Sequence, residues 1–311
     1  MGKLEGVICP LVTPLDEEER IDEGDVRSLV EHVIRGGVSV IFPLGSMGEG
    51  ILLADEEKER LIEIVVEQTR GRVPVMVGVA DTSTERIIRN ARRARDLGAD
   101  GIVISAPCYF GIGRQEEVID FHKRVLDSVD LPALLYYLPG RTHTFMTIDT
   151  IVELSTDPRV LGIKDSCGDF TFFRRLVAAT KGREDFSVFQ GNEWVFDASL
   201  LVGADGIAPG ISSLVPRTCY ELFIAGKSGN INEARRLQEK LLRIFEIYGG
   251  ANAETWAAGM KEALRATGIC KTSNPARPFT PLDDAGRRRV RDILEREGIL
   301  QSHVAGGTGE P

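Results

Sequence analysis

The chain has 311 residues, of which 42% are hydrophobic, so it is long enough to bury the core of one large domain or two modest ones. Its 38 Lys and Arg residues against 47 Asp and Glu residues leave a net charge of −9, which argues against nucleic acid and anionic membranes as partners. No apolar run reaches the ~20 residues of a membrane span, and the start lacks the apolar region of a signal peptide.

From residue 6 to residue 225, short apolar runs alternate with segments whose apolar residues recur at the helical period. The short runs are almost continuously apolar, which is typical of parallel strands covered on both faces. The eight predicted strands span residues 6–12, 38–44, 73–79, 101–105, 132–138, 160–163, 186–189 and 206–208. The helices that follow them are predicted over residues 22–36, 54–70, 83–97, 115–128, 147–155, 170–180, 193–202 and 214–225.

Eight β/α units in about 225 residues predict an α/β fold of the (β/α)8 TIM barrel type, whose typical length is ~250 residues. The main rival is a doubly wound open sheet, but that fold usually has fewer strands, and no GxGxxG motif follows the first strand here. Three further helices, over residues 230–248, 252–267 and 282–297, predict a C-terminal helical extension packed on the barrel. The predicted organisation is a barrel over 1–226, this extension over 227–300 and a flexible tail over 301–311.

Lys164 follows directly on the sixth predicted strand, and Asp165 and a small-residue turn come after it. Burying an amine destabilises its charged form and frees a nucleophilic lone pair, so Lys164 is either a salt-bridged structural group or a reactive amine. In barrels of this kind the reactive residues lie at the carboxyl ends of the strands. Tyr136 ends the preceding strand at the same mouth, and this placement favours catalysis over a role as core filler.

Other strand ends supply weaker candidates. The glycine-rich turn at residues 45–50 is either only a tight turn or an anion site formed by the backbone N–H groups of Ser46 and Met47. Tyr109 is ambiguous, and Arg141 is either a surface ion-pair residue or a ligand for an acidic group. No cluster of His, Asp and Glu joins them, which argues against metal catalysis. Five scattered cysteines without a CxxC pair predict reduced thiols of a cytoplasmic protein and no zinc site.

Four motifs make the sequence resemble the dihydrodipicolinate synthase / N-acetylneuraminate lyase family of pyruvate-dependent class I aldolases, over about residues 6–300. They are Val12-Thr-Pro14, Gly45-Ser-Met-Gly-Glu49, Tyr136-Tyr-Leu-Pro-Gly-Arg-Thr142 and Gly162-Ile-Lys-Asp165. The resemblance implies that Lys164 forms the Schiff base with pyruvate or another 2-oxo acid and that Tyr136 transfers protons beside it. It also implies that no cofactor is needed, because the iminium is the electron sink.

The resemblance implies further roles. Ser46 links Tyr136 to Tyr109, which comes from the neighbouring subunit, so a homotetramer arranged as a dimer of dimers is expected. The glycine turn, with the N–H groups of Ser46 and Met47, holds the 2-oxo carboxylate. Ala208 offers its carbonyl near the bound pyruvate, and Arg141 meets a carboxylate on the second substrate. The same chemistry runs aldol cleavage, addition or dehydration, and the far end of the substrate decides which.

Several positions depart from the family pattern. Met47 replaces a threonine, and Tyr137 replaces an asparagine. The residues that bind feedback lysine in some synthases are poorly matched at three positions, Asp55, Lys58 and Asp81. These departures disfavour a housekeeping, lysine-regulated synthase, whereas Arg141 favours an aldehyde that carries a carboxylate.

The predicted function is therefore a Schiff-base lyase that acts on a 2-oxo acid and an acidic or sugar-acid-derived aldehyde. The closest alternative is the synthase that joins pyruvate to aspartate semialdehyde. An alternative of another class is a non-catalytic binder of 2-oxo acids, although a binder has no need of a nucleophile. A more remote rival is a phosphate-binding barrel enzyme, which would bind phosphate near strands seven and eight.

Overall fold

The computed structural model describes residues 2–249 and 255–300. Eight parallel strands form one sheet in the order β2-β1-β8-β7-β6-β5-β4-β3, and a parallel bridge between Ile41 and Val75 joins the two ends of this order. The predicted (β/α)8 barrel is thereby confirmed. The strands are β1 Gly6–Pro10, β2 Val40–Phe42, β3 Met76–Gly78, β4 Gly101–Ser105, β5 Ala133–Tyr137, β6 Val160–Asp165, β7 Ser187–Gln190 and β8 Gly206–Ile207.

Twelve α-helices lie within the described ranges, and most of the predicted helices match one of them to within two residues at each end. They are α1 Glu23–Arg35, α2 Asp55–Thr69, α3 Thr84–Asp96, α4 Gln115–Asp127, α5 Pro139–Thr142, α6 Ile148–Leu154, α7 Phe170–Ala179, α8 Phe196–Leu201, α9 Pro216–Lys227, α10 Ile231–Phe245, α11 Trp256–Ala266 and α12 Asp284–Arg296. None of these helices combines the length and apolar character needed to cross a bilayer.

Local sequence signals explain several helix starts. The side chains of Asp22, Ser83 and Asp169 each accept a hydrogen bond from a backbone N–H in the first turn of α1, α3 and α7. Such caps satisfy donors that have no partner inside the helix. Pro216 occupies the first turn of α9, where a fixed φ and a missing N–H cost nothing, so this helix begins two residues later than predicted.

Some predicted elements differ in detail. The short helix α5 has no counterpart among the predicted helices, because four residues are too few to show a helical period. The helix predicted from residue 193 begins as a 3-10 turn, Glu193–Val195, before α8. The predicted sixth strand stops before Lys164, whereas β6 continues through Asp165. Residues 252–254 of one predicted helix and the predicted tail, 301–311, lie outside the described residues.

Side chains on the strands alternate between two apolar layers. The barrel interior is filled by residues from all around the sheet, including Phe42, Leu134, Tyr136 and Phe189. A larger layer, which contains Tyr137, lies between the strands and the surrounding helices. This alternation has period two, as pleated strands require, and it turns Tyr136 inward and Tyr137 outward.

Three helices follow the eighth β/α unit. Helix α10 packs on α8 and α9, and α11 packs on α12. The connector between α11 and α12 is tied to the barrel by the carboxylate of Asp25 on α1, which accepts hydrogen bonds from the backbone N–H groups of Lys271 (2.6 Å) and Thr272 (3.0 Å). The C-terminal helices are therefore attached to the barrel, and a division of the chain at residue 226 stays a prediction.

Candidate active site

Lys164 and Tyr136 lie side by side on neighbouring strands. They are register partners in the β5–β6 pair, and both side chains are buried, with exposed fractions of 5% and 9%. The Lys164 Nζ lies 4.5 Å from the centroid of the Tyr136 ring and 5.3 Å from that of Phe42. The sequence predicts both residues at the same mouth of the barrel, and the structure brings their side chains into contact.

The Lys164 side chain passes closely over Gly191, which follows β7. A Cβ atom at Gly191 would lie 2.9 Å from the Lys164 Cε and 2.0 Å from the Ser166 Oγ. Only glycine leaves this space free. Within the described residues, Lys164 has no ion-pair partner, so its amine is not committed to a carboxylate of the chain. A buried, unpaired amine beside a phenol is suited to nucleophilic chemistry.

The residues that follow Tyr136 and Lys164 face the opposite way. Tyr137 packs against Phe172 at 5.1 Å between ring centroids, and burial raises the pKa of its phenol to about 12. Burial likewise raises the pKa of the Asp165 carboxyl to about 6, and its Oδ1 accepts a hydrogen bond from the Cys167 N–H at 2.8 Å. These two groups belong to the outer layer and do not reach the barrel interior.

The glycine turn after β2 has an unusual backbone. Leu44, directly before it, and Glu49, within it, have φ values of 60° and 54°, in the left-handed region that non-glycine residues rarely adopt. Such conformations concentrate at functional sites, where the surrounding structure must hold them. Among the hydrogen bonds of the described residues, none uses the backbone N–H of Ser46 or Met47 as donor. Both donors are therefore available to a ligand, as the anion-binding interpretation requires.

Contacts from two sides hold this turn in place. The Thr13 hydroxyl, after β1, donates to the Gly48 carbonyl at 2.6 Å. From the other side, Lys261 on α11 forms an ion pair with Glu49, with 2.5 Å between Nζ and Oε2. The Glu49 Oε1 also accepts from the Ala276 N–H at 2.8 Å, and the Lys261 Nζ donates to the Asn274 carbonyl at 2.8 Å. Thus the C-terminal helices and their connector anchor the turn.

The Glu49–Lys261 pair is almost completely buried, with exposed side-chain fractions of 0% and 3%. Burial raises the pKa of Glu49 and lowers the pKa of Lys261, and the attraction between the two opposes both shifts. Because an unpaired charge at this depth costs several kcal/mol, each partner depends on the other.

A cavity of about 440 Å³ opens at the carboxyl ends of the strands. Tyr136, Ser46, Met47 and Arg141, all predicted site residues, line it. Arg141 is exposed on α5 and, within the described residues, has no carboxylate partner. The Met47 side chain packs over Gly210, where a Cβ atom would lie 2.9 Å from its Sδ. The cavity therefore combines two backbone donors, a phenol and a free guanidinium.

The remaining predicted site residues are placed differently. Ala208 is buried directly after β8 and packs in the same interior layer as Tyr136. Ser46 is exposed, and a hydrogen bond between Ser46 and Tyr136 is not present among the described residues. Tyr109 is 76% exposed, stacks edge-to-face on Phe110 and does not line its own cavity. The predicted link from Ser46 through Tyr136 to Tyr109 stays a prediction.

Glu193, which the sequence reasoning missed, also lines the cavity. Its Oε1 accepts a hydrogen bond from the Ile211 N–H at 2.9 Å. Burial raises its pKa to about 7, against the opposing effects of that hydrogen bond and of the Lys164 charge. In the sequence Glu193 looks like an ordinary residue at a helix start, but it also lies in the short segment that follows the carboxyl end of β7, which was a usable signal.

The positions expected for feedback lysine are occupied by internal contacts. Asp81 is buried and contacts Arg86 at 2.7 Å. Asp55 contacts Arg93 at 2.9 Å and Lys58 at 3.6 Å.

In residues 2–249 and 255–300, no group of three or more His, Cys, Asp or Glu side chains is arranged to hold a metal ion.

Fold and cavity together define a (β/α)8-barrel enzyme with a buried amine at the carboxyl ends of its strands. The family model described as "Dihydrodipicolinate synthetase family" matches residues 3–297. The chain therefore belongs to the dihydrodipicolinate synthetase family, and it is a lyase.

Named relatives agree with this assignment. The chain is 32% identical over 295 residues to a 4-hydroxy-tetrahydrodipicolinate synthase of Pelobacter propionicus, an alignment that covers 95% of this chain and 99% of the relative. Among solved structures, it resembles the dihydrodipicolinate synthase of Bacteroides thetaiotaomicron, with a TM-score of 0.89, 33% identity and coverage of 95% and 99%.

A further solved structure is a prophage protein of the dihydrodipicolinic acid synthase family from E. coli K12, in complex with pyruvate. It has a TM-score of 0.89, 27% identity and coverage of 96% and 99%. These relatives support a pyruvate-dependent, aldolase-type activity for the chain.

Proposed function

We propose that Lys164 condenses with the keto carbon of pyruvate or another 2-oxo acid and that the resulting enamine adds to, or is released from, an aldehyde that carries a carboxylate. The observation that carries this proposal is the position of Lys164, which is buried and has no ion-pair partner among the described residues. Its Nζ lies 4.5 Å from the centroid of the Tyr136 ring, and Tyr136 lines a cavity of about 440 Å³. An amine so placed needs no metal or organic cofactor to activate a ketone.

The neighbouring groups have distinct tasks in this proposal. The free N–H groups of Ser46 and Met47 bind the 2-oxo carboxylate, and the Ala208 carbonyl lies beside the bound acid. Attack of the amine on C2 and loss of water form the iminium, which draws electrons from C3. Tyr136 accepts and returns the protons that these steps exchange, because its phenol adjoins the amine. Water finally hydrolyses the imine and restores Lys164.

The second substrate is proposed to be acidic or derived from a sugar acid, since Arg141 offers an unpaired guanidinium at the cavity. The specific candidate that the relatives' names favour is the synthesis of 4-hydroxy-tetrahydrodipicolinate from pyruvate and aspartate semialdehyde. That aldehyde also carries a carboxylate for Arg141. Met47 and the internally paired Asp55 and Asp81 favour a member without lysine feedback.

We further propose a cytoplasmic homo-oligomer, built as a dimer of dimers, in which Tyr109 completes the site of a neighbouring copy. Tyr109, Phe110 and Phe145 are 76%, 77% and 68% exposed. Large apolar side chains exposed this far mark association surfaces. An active monomer in solution would remove the basis for this part of the proposal.

The test is to incubate the protein with pyruvate and sodium borohydride and to measure its intact mass. We expect one reduced pyruvate adduct per chain, and we expect Lys164→Ala to abolish it. Lys181→Ala, at an exposed lysine away from the cavity, should leave the adduct unchanged. If no 2-oxo acid can be trapped, the non-catalytic binding alternative replaces this proposal.

A further inference from the structure

The outer end of the cavity is lined by aromatic rings. Phe245, Tyr248, Trp256 and Phe279, here called the aromatic wall, all come from the C-terminal helices and their connector. Phe245 and Tyr248 stack edge-to-face with centroids 4.4 Å apart, and Trp256 and Phe279 do so at 5.6 Å. The wall is therefore built from ring pairs that hold each other in position.

Apolar side chains beside the wall are left exposed. Ile51 and Leu52, which follow the glycine turn and also line the cavity, are 46% and 36% exposed, and Phe279 is 37% exposed. Apolar surface in contact with water is unfavourable in proportion to its area, and a concentrated patch of it marks a binding surface. This patch is continuous with the cavity that holds Tyr136, so a ligand at the candidate active site reaches it.

The wall offers few partners to a polar substrate tail. The Tyr248 hydroxyl is buried and has no hydrogen-bond partner among the described residues, so it does not present itself at the cavity surface. Phe245 and Phe279 have no polar atoms. Trp256 has a single indole N–H donor. A polyhydroxylated tail would therefore lose hydration here and regain few hydrogen bonds, whereas a flat ring would gain edge and face contacts.

We propose that the aldehyde partner is an aryl aldehyde, whose ring packs on the aromatic wall while its carbonyl carbon meets the enamine at Lys164. This inference rests on the proposed Schiff-base function and specifies the substrate class of the same site. A carboxylate on the ring would satisfy Arg141, which lines the same cavity. The polar inner end and the apolar outer end then bind the two halves of one aldol product.

The proposed reaction is balanced without a further reactant. The pyruvyl iminium loses one proton from C3, the enamine C3 forms a bond to the aldehyde carbon, and the aldehyde oxygen takes up one proton. Water then hydrolyses the iminium, releases a 4-aryl-4-hydroxy-2-oxobutanoate and regenerates the Lys164 amine. The reverse sequence cleaves the same product into pyruvate and the aryl aldehyde.

The first experiment compares two aldehydes that share a carboxylate and differ in the ring. Pyruvate is incubated with 4-carboxybenzaldehyde or with succinic semialdehyde, and the adduct is quantified by mass spectrometry. We expect kcat/KM for 4-carboxybenzaldehyde to be at least tenfold higher. An equal or lower value for 4-carboxybenzaldehyde would overturn the aryl-aldehyde inference, and so would a higher value for aspartate semialdehyde in the same assay.

The second experiment tests the wall itself with a compound that cannot be cleaved. 4-Phenyl-2-oxobutanoate has a ring but no 4-hydroxyl group, and borohydride reduction measures its imine with Lys164. The quantity compared is the ratio of two half-saturating concentrations, that of this compound divided by that of pyruvate. In Phe279→Leu this ratio should rise about three- to tenfold, the scale of one lost aromatic contact. The control Ile224→Ala changes an exposed apolar residue of α9 outside the cavity and should leave the ratio unchanged.

The two proposals fail in distinguishable ways. If pyruvate does not form a borohydride adduct, the Schiff-base function fails and the aryl-aldehyde inference falls with it. If pyruvate is trapped but Phe279→Leu leaves the ratio unchanged, only the aryl-aldehyde inference is overturned. The pyruvate adduct and the melting temperature, measured on the same preparation, verify that the Phe279→Leu variant is folded.

Discussion

The two ends of the cavity are built by different means. At the inner end, Tyr136 and Lys164 project from neighbouring strands whose register is set by backbone hydrogen bonds. At the outer end, the aromatic wall is held by side-chain packing among helices and a connector. A strand register allows one arrangement of its side chains, whereas helix packing tolerates changes of side chain and volume. The difference indicates that the fold fixes the groups at the inner end, whereas the shape of the outer end can change with its side chains.

The two ends are joined at one point, the buried pair of Glu49 and Lys261. Glu49 belongs to the glycine turn, and Lys261 lies on α11, the helix that begins with Trp256 of the aromatic wall. The backbone that we propose for carboxylate binding is therefore supported by the same helix that shapes the outer end. Changes at one end should reach the other chiefly through this pair.

The largest expected effect comes from Tyr136→Phe, which tests the chemistry of the inner end. The ring stays beside Lys164, but the proton-transferring hydroxyl is lost, so turnover should fall roughly 10²- to 10⁴-fold while pyruvate is still trapped by borohydride. The matched control is Tyr137→Phe, because that ring faces the outer layer against Phe172, and its kcat should stay within a few-fold of the parent. Equal losses in both variants would refute a chemical role for Tyr136.

Breaking the link between the two ends should mainly affect stability. Lys261→Met leaves Glu49 buried and unpaired, so the free energy of unfolding measured with urea should fall by about 3–5 kcal/mol. The double variant Glu49→Gln with Lys261→Met should be less destabilised than the sum of the two single variants. The exposed pair of Arg124 and Asp120 is the control, and its removal should cost less than about 1 kcal/mol.

The same variants test whether the pair positions the glycine turn. We expect Lys261→Met to raise the half-saturating concentration of pyruvate in the borohydride assay, because Ser46 and Met47 lose their support. Lys261→Arg should partly restore it, since the charge returns. If the Lys261→Met protein is destabilised but folded and its half-saturating concentration of pyruvate is unchanged, the pair has only a structural role.

Gly191→Ala should impair the inner end in a more localised way. The new Cβ atom would need the space of the Lys164 Cε and the Ser166 Oγ, so the amine must shift. A displacement of about 1 Å at a reacting group costs on the order of 10²-fold in rate. The rate of adduct formation with pyruvate measures this directly. Gly140→Ala, where the added Cβ atom has no neighbour within 4 Å, serves as control and should react at the parental rate.

The sequence predicted the inner end well for a physical reason. Parallel strands bring their carboxyl ends to one mouth, so Tyr136 and Lys164 could be placed together from strand boundaries alone. The period of the apolar runs likewise predicted eight β/α units. Lys164 lies inside β6 rather than just beyond it, a difference of the size expected at element ends.

The outer end could not be predicted in the same way. Phe245 and Trp256 lie at the ends of amphipathic helices, and Phe279 lies in a proline-rich connector, where an apolar residue most often belongs to the core. Only the packing of α10 and α11 on the barrel turns these rings toward one cavity. Glu193 was missed for a related reason, because its burial and its hydrogen bond to Ile211 depend on a 3-10 turn that has no period to detect.

The smallest expected effect concerns Glu193, which lies between the two ends. Burial raises its pKa from an ordinary 4.5 to about 7, so the folded chain holds this proton more tightly than the unfolded chain does. The free energy of unfolding therefore falls as pH rises through the window from about 4.5 to 7, and the loss is complete above it. Glu193→Gln preserves size and cannot titrate, so it lacks this dependence.

The measurement is the difference in unfolding free energy between the parent protein and Glu193→Gln, obtained with urea at pH 5 and at pH 8. Asp165, whose pKa is also raised, titrates in both proteins and cancels in the difference. We expect the parent to lose about 1–3 kcal/mol relative to the variant between the two pH values. A difference that does not change with pH would mean that Glu193 is solvated like a surface carboxylate. The cavity would then be hydrated between its two ends, and no sharp boundary would separate its polar inner end from its apolar outer end.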